Sequence, residues 1–575
     1  MHLETKMPVL STKPRKIPAG REEQVQDHAG RFPILIPIVV VVVLLAPFLR
    51  RAFSIDDPLF VWMAEQILKH PLDPYGFNVN WGYVQEPMSK VLQNPPLNSY
   101  FIAGVIRLVG LRETMLHAAF ILPAVATTWG IYLIARRFCA HPIEATLAAV
   151  LTPAFLVCGS TVMCDVMMLA FWVWAVHLWL KGMDDNRLWM ILAASVLIAL
   201  SALTKYYGVV LIPLLLAYSL LARRRPAWWL LSLLIPVLVL IAYNYWTKSL
   251  YDRGLILDAF GLSGQYRSAL KAAMIPKTVI GLAFTGGCLA SVIFLAPLLW
   301  SRRALAGWVG LAAILVVLFG ATGHIGESSL RLEGGLLWIL AGHLGMFTAA
   351  GAGLLLLAFM DLAARKDADS ALLFLWVAGT IVFVVAFNWS VNGRVLLPMA
   401  PAIGIIMMRR IERRGIRISA SSFALPWVLS ALLAITVAHA DYQWANSQRT
   451  AAYAIIQEFP TRGTVWFQGH WGFQYYMQRL GAKPLEYMGT RFEADDLVVV
   501  PLNNAIVNPP PEDLVSRIET FPGSTWLSTM GSFRQTGFHS DARGPIPYGF
   551  GLTAPEIYYI MILDQENFDL LAPPG

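Results

Sequence analysis

Phe32 to Leu49 reads FPILIPIVVVVVLLAPFL, with no charge anywhere in it, close to the length that crosses a hydrocarbon core of about 30 Å. Similar runs recur along the chain between short polar breaks. They predict spans near residues 33–49, 115–135, 143–160, 165–180, 188–204, 207–222, 227–246, 276–299, 304–321, 335–359, 370–389, 394–408 and 422–439, about thirteen helices in all. The apolar stretch from Pro95 to Gly110 is read instead as a helix lying in or dipping into the outer interface. Counting it as a crossing would invert every later loop.

The Lys/Arg clusters set the orientation, because positive loops stay on the cytoplasmic side. Lys6, Lys13, Arg15, Lys16 and Arg21 place the N-terminal segment, 1–32, inside. Arg136-Arg137, Lys181 with Arg187, Arg223 to Arg225, Arg302-Arg303, Arg365-Lys366 and the run Arg409, Arg410, Arg413, Arg414, Arg417 then fall after every second span. A transmembrane domain over 33–440 carries a long first outer loop at 50–114. Composition agrees, with 57% hydrophobic and 14% charged residues and mean hydropathy +0.57. About thirty polar residues precede the first span and no small-residue cleavage site follows it, so that span is expected to stay. The net charge of +8 comes largely from the inner loops and gives no reason to expect nucleic acid.

From Asp441 to Gly575 the composition turns polar and no membrane-length run remains, which predicts a small extracytoplasmic α/β domain. Thr464 to Phe467 and Leu497 to Val500 read as buried strands, and Gly472 to Leu480 as a helix. Cys139, Cys158, Cys164 and Cys288 lie in or beside membrane helices, so neither a disulfide framework nor a zinc spacing is implied. No Gly-rich nucleotide loop is present.

The candidate chemistry begins at Ser54-Ile55-Asp56-Asp57-Pro58, just outside the first span. Adjacent carboxylates repel and raise one pKa, so the pair is either a cation site or a tuned acid/base. The topology brings Asp165, opening the fourth span, and Lys205, between the fifth and sixth, to the same outer side. Charges near a membrane usually have partners or a function, although each also fits a simple helix end in the headgroup zone.

Asp56-Asp57-Pro58, Asn94-Pro95-Pro96-Leu97, Arg136-Arg137-Phe138, Asp165, Leu203-Thr204-Lys205 and Asn392-Gly393-Arg394-Val395-Leu396-Leu397-Pro398 follow one another in an order that resembles the C-type membrane glycosyltransferases of family 39. Protein O-mannosyltransferases and lipid A aminoarabinose transferases are relatives in that family. The resemblance covers about residues 33–410. It implies that a hexose or pentose moves from a polyprenyl-phosphate carrier to a lipid, glycan or protein acceptor on the outer side of a bacterial inner membrane. By the same resemblance Asp56 is the general base, and Asp57 tunes it, holds the acceptor or binds a divalent cation, a role also open to Asp165. Lys205 and Arg394 take the leaving phosphate, with Arg50, Arg51 and Lys90 behind them, and Asp165 and Asn94 contribute to substrate binding. Aminoarabinose transferases carry Glu-Lys just before the proline where this chain has Gln93-Asn94. Lys90, three residues upstream, is the nearest substitute.

Other polar groups have plainer readings. His324, Glu327, Arg331 and Glu333 are expected in a solvated outer loop. Trp466, Phe467, His470, Trp471, Phe473, Tyr475 and Tyr476 read as the core of the tail domain, and Tyr206, Tyr207, Tyr243, Tyr245 and Trp246 as an interfacial belt. A secondary transporter or lipid flippase is the competing function. Transporters carry internal repeats and midplane charges, whereas here no repeat is visible and the charges gather at one face.

Overall fold

The computed structural model describes residues 33–92, 94–223, 229–261, 274–326, 328–332, 335–416, 420–459, 463–486, 490–531 and 535–563. It is mostly helical, with a β-containing region at the C-terminal end. A helix lies at each of the thirteen predicted spans, but length and composition qualify fewer of them. Among the described residues, eight helices are long and apolar enough to cross a membrane, or up to ten if each of two bent pairs is one span. The pairs are Pro142–Val150 with Pro153–Gly159, bent by 67°, and Met274–Cys288 with Ser291–Leu299, bent by 84°. At the first break Thr152 accepts the Phe155 N–H and Pro153 starts the new helix, a strong N-terminal signal. Leu35–Phe48 and Leu188–Thr204 are shorter apolar helices, and the expected span at 394–408 is split into Gly393–Leu396, Leu397–Met399 and Ala400–Arg413. Leu97–Val109, the expected interfacial helix, has 13 residues, well short of the roughly 20 needed to cross.

The basic clusters meet at one end of the bundle. Arg137 pairs with Asp184, lies 3.2 Å from Asp369 and donates to the Tyr218 hydroxyl. Arg409 reaches Asp361 at 3.1 Å, while Arg410 and Arg414 donate to the carbonyls of Leu299 and Trp300. Two of the helices that end there begin at Glu113 and Asp165, and the third, Ala400–Arg413, continues the broken segment that starts at Gly393. Twenty-one residues separate the two ends of Asp165–Asp185, about 30 Å at 1.5 Å per residue.

The predicted boundary at 440/441 falls inside one 39-residue helix, Ala420–Glu458. This helix leads into a five-stranded sheet with the order Arg517–Phe521, Glu556–Ile562, Leu497–Pro501, Val465–Phe467, Lys483–Pro484. The last three strands run parallel, with Trp471–Arg479 as the crossover helix between Val465–Phe467 and Lys483–Pro484. The aromatic run of the tail is largely core, with Phe467, Phe473, Tyr475 and Tyr476 buried. Glu327 and Glu333 lie outside the described residues, and His324 and Arg331 are exposed.

Candidate active site

The chain at Ala52–Asp57 is held from three directions. The Ala52 N–H donates to Asn446 Oδ1 on the long helix, and the Phe53 N–H to the Tyr476 hydroxyl, each at 2.8 Å. Tyr476 passes its own proton to Glu113 at 2.7 Å. Gly472 lies so close that an added Cβ would sit 2.0 Å from the Phe53 carbonyl oxygen, which leaves room only for glycine. Ile55 adopts φ +51°, a left-handed conformation that is costly for a β-branched residue. This strained residue directly precedes Asp56.

Asp56 and Asp57 point to different surroundings. Asp56, a quarter exposed, pairs with Arg394 at 2.7 Å. Asp57 is fully buried, its two oxygens accepting the N–H groups of Ser54 and Val162, each at 3.0 Å. Burial pushes the Asp57 carboxyl up to about 7, against the pull of Arg51 and of the two amides. Asn98, in the helix after Pro95-Pro96, donates to the Val162 carbonyl at 2.9 Å and so fixes the strand of chain that meets Asp57.

A second ion pair joins Lys205 to Asp165 at 2.6 Å, with Asp165 only 1% exposed. The two pairs are neighbours: Asp165 acts electrostatically on Arg394, and Cys164 lies in the fields of Asp165, Lys205, Arg394 and Asp56 together. Arg394 also donates to the Met163 sulfur at 2.8 Å. Among the described residues, buried Asp165 Oδ2 and Arg394 Nε have no hydrogen-bond partner. Two acids and two bases therefore meet at one end of the bundle, with one acceptor and one donor unused.

The remaining predicted site residues are not part of this group. Arg50 is exposed, and its carbonyl accepts from Arg449 at 3.3 Å. Lys90 is exposed on the short helix Met88–Val91. Asn94 is half-buried, and its carbonyl accepts from the Tyr75 hydroxyl at 2.7 Å. Tyr75 in turn lies 3.2 Å from the Tyr243 hydroxyl, which is 3.4 Å from that of Tyr206, so part of the expected aromatic belt is an internal hydroxyl chain. Gln93 lies outside the described residues.

Sequence reasoning named Arg51 beside the carboxylates but missed its partner Asp441 and the His539 behind it. Arg51 is fully buried and bridges Asp441 at 2.7 Å, also donating to Ser54 and Ser160. Asp441 further accepts from Thr529 at 2.9 Å and faces His539 at 3.2 Å. Burial holds His539 below its ordinary value, which favours the neutral ring. Asp57 and Asp441 thus share one buried guanidinium, and Asp441 has the direct contact. The Arg394 turn is braced from the same segment: the Gly393 N–H donates to the Phe538 carbonyl at 2.8 Å, and the Phe538 ring lies where a Cβ on Gly393 would be, 2.6 Å from its nearest atom.

The residues suggested for a divalent cation do not fit one. Both Asp57 oxygens accept backbone amides, Asp165 is engaged by an ammonium, and among the described residues no three His, Cys, Asp or Glu side chains group as metal ligands.

Many apolar helices, paired charges at one end and a tail domain packed against them define a polytopic integral membrane protein with a charged centre at one helix-bundle end. Residues 93–246 match the model of a family described as dolichyl-phosphate-mannose-protein mannosyltransferase, so the resemblance to membrane glycosyltransferases read from the motifs is borne out over that segment. The structure is similar to Archaeoglobus fulgidus oligosaccharyltransferase tethered to an acceptor peptide, at 13% identity and TM-score 0.47, covering 82% of this chain and 69% of that one. Archaeal oligosaccharyltransferase AglB from Archaeoglobus fulgidus, in complex with an inhibitory peptide and a dolichol-phosphate, matches at 16% identity and TM-score 0.44, over 79% of this chain and 64% of that one. ArnT from Cupriavidus metallidurans bound to undecaprenyl phosphate matches at 14% identity and TM-score 0.41, over 82% and 94%. No curated protein matches the sequence.

Proposed function

We propose that the chain transfers a sugar from a polyprenyl-phosphate carrier to an acceptor on the outer face of a bacterial inner membrane, with inversion at the anomeric carbon and Asp56 as general base. The observation that carries this reading is the meeting of the Asp56–Arg394 and Asp165–Lys205 pairs, at 2.7 and 2.6 Å, with one donor and one acceptor left over. The match of residues 93–246 to a mannosyltransferase family supports it.

The two ion pairs support a division of labour. Without donor, each cation is held by a carboxylate. An incoming phosphate competes for Arg394 and Lys205 through charge-assisted hydrogen bonds, which frees Asp56 beside the anomeric carbon. The acceptor heteroatom gives its proton to Asp56 and forms the new bond to C1, while the C1–O bond to phosphate breaks and its electron pair leaves with the polyprenyl phosphate. The two cations stabilise the charge gathering on that phosphate, and the carboxylates stabilise the oxocarbenium character at C1. In this reading Asp165 accepts from a sugar hydroxyl, which the lack of a partner for its Oδ2 among the described residues supports. Asp57, enclosed by backbone amides, supports the turn that presents Asp56.

Protein in membranes or nanodiscs, given radiolabelled polyprenyl-phosphate sugars and membrane extract, is expected to move label from carrier to a new product. If no label leaves any carrier, while intact folding is verified, the reading fails.

A further inference from the structure

Tyr548-Gly549-Phe550-Gly551-Leu552 alternates large apolar residues with glycine, so an extended chain here carries all of its side chains on one face. Gly549–Phe550 pairs antiparallel with Leu527–Ser528, and the Gly551 and Thr553 N–H groups continue that pairing to the Trp526 and Thr525 carbonyls, at 2.9 and 3.2 Å. The side-chain face lies along the helix Trp338–Arg365, which is long and apolar enough to cross a membrane. The Tyr548 ring packs on Phe347 at 5.1 Å between centroids, and the Phe550 ring stacks on His343 at 5.6 Å. Two strand residues rise about 6.6 Å and four helix residues about 6 Å, so strand and helix run side by side in opposite directions. The next step of the strand brings Leu552 level with Ile339.

That level is where a bilayer's hydrocarbon ends. Asp361, paired with Arg365 and Arg409, closes the apolar stretch of this helix at the basic end of the bundle. From Met360 back to Leu340 the helix covers about 30 Å at 1.5 Å per residue, the thickness of a hydrocarbon core, which puts the other edge near Leu340. Counting from Ala364, beside Arg365, moves that edge one turn, to Leu344. Either count leaves Ile339 and Leu552 within the headgroup layer, about 5–8 Å deep on each side. Exposure follows the same gradient. Tyr548 is buried, whereas Leu552 is 77% exposed and Trp526, stacked on Phe550 at 5.9 Å, is 52% exposed. On the helix beside them Trp338 and Ile339 are 62% and 56% exposed. Water is an unfavourable surrounding for four such side chains, while indole rings favour the membrane–water interface.

We propose that the tail domain is itself a lipid-binding unit, whose Trp526/Leu552 edge sits in the headgroup layer of the leaflet on its side of the bundle and is covered there by lipid. The inference rests on the helix Trp338–Arg365 spanning the bilayer and is independent of sugar transfer. The full chain in lipid nanodiscs, one copy per disc, carries a nitroxide label at Leu552→Cys or, as the aqueous control, at Ile518→Cys. Ile518 is 54% exposed on the sheet-edge strand Arg517–Phe521, beside the Arg517–Glu458 pair at the far end of the long helix. Both variants also carry Cys139→Ser, because the other three cysteines are buried. Relaxation of the label by dissolved oxygen is compared with relaxation by a water-soluble nickel chelate. Polar chelates are excluded from apolar surroundings, so the oxygen-to-chelate ratio is expected to be about three-fold or more higher at position 552 than at position 518. Trp526→Cys should behave as Leu552→Cys does, and it keeps the test valid if Leu552→Cys fails to fold. A ratio equal to that at position 518 would place the edge in water and overturn the assignment. A label reached by neither reagent would mean that protein covers the edge, with the same consequence.

Discussion

Asp56 and Asp57 are adjacent in sequence yet do different things, and the difference is one of solvation. Asp56 keeps a quarter of its surface and a guanidinium partner, whereas Asp57 is sealed and bound by two amides. Asp57→Asn leaves one of those amides facing an NH₂ group. It should destabilise the protein by about 1–3 kcal/mol, visible as a lower Tm. The pH dependence follows from the same burial. The folded-state pKa is raised to about 7, above the ordinary carboxylate value, so folding takes up a proton. Asp57 therefore contributes stability that is complete below the ordinary carboxylate pKa and is lost as pH rises toward and through 7. Thermal melts between pH 5 and 8 should show this slope in wild type, and a flatter one in Asp57→Asn. Behind the pair, Asp441→Ala strands the fully buried Arg51 charge and should cost about 3–5 kcal/mol, measured as loss of folded protein or of Tm. Charge placement singled out Asp56, Asp165 and Lys205 in the sequence, because each sits at the end of an apolar run, and the family resemblance added Arg394. Asp441 and His539 carried no such mark. Asp441 is 98 residues from His539 and nearly four hundred from Arg51, and a buried ion pair has no periodicity to betray it.

At the scale of elements, hydrophobic runs located the helices but not their breaks. The bend after Val150 was announced by Thr152-Pro153, yet the apolar run continues through it and hid the signal. The bend near Leu289 and Ala290 has no proline at the break but follows Gly286-Gly287, a weak stretch of helix. The change to polar composition at Asp441 suggested a boundary, but polarity alone does not stop a helix. No glycine or proline interrupts Asp441 to Phe459, and the helix continues to Glu458. That continuity carries the tail domain back onto the membrane domain, where Phe538 braces the turn bearing Arg394. Gly393→Ala would drive a Cβ into the Phe538 ring, an overpacking that should cost about 1–3 kcal/mol. Because Arg394 is the next residue, the loss of transfer in an assay at permissive temperature should exceed what the loss of folded protein explains.

The whole molecule separates its charges by end. Contacts among the loops near residues 137, 184, 300, 361, 369 and 409–414 gather the basic clusters, while the Asp56 and Asp165 pairs sit where the same helices begin. Positive loops stay inside, so the paired charges and the tail domain should face out. A C-terminal reporter active only outside the cytoplasm should therefore be on, and an N-terminal one off; a cytoplasmic C-terminus would remove the outer site. Sugar transfer at Asp56 is tested most directly by comparing Asp56→Asn with wild type for donor binding, Tm and label transfer in one preparation. The expected result is donor binding and Tm close to wild type, with transfer lowered by about 10²–10⁴-fold, the range typical of a lost general base. Transfer by Asp56→Asn at the wild-type rate would contradict the account.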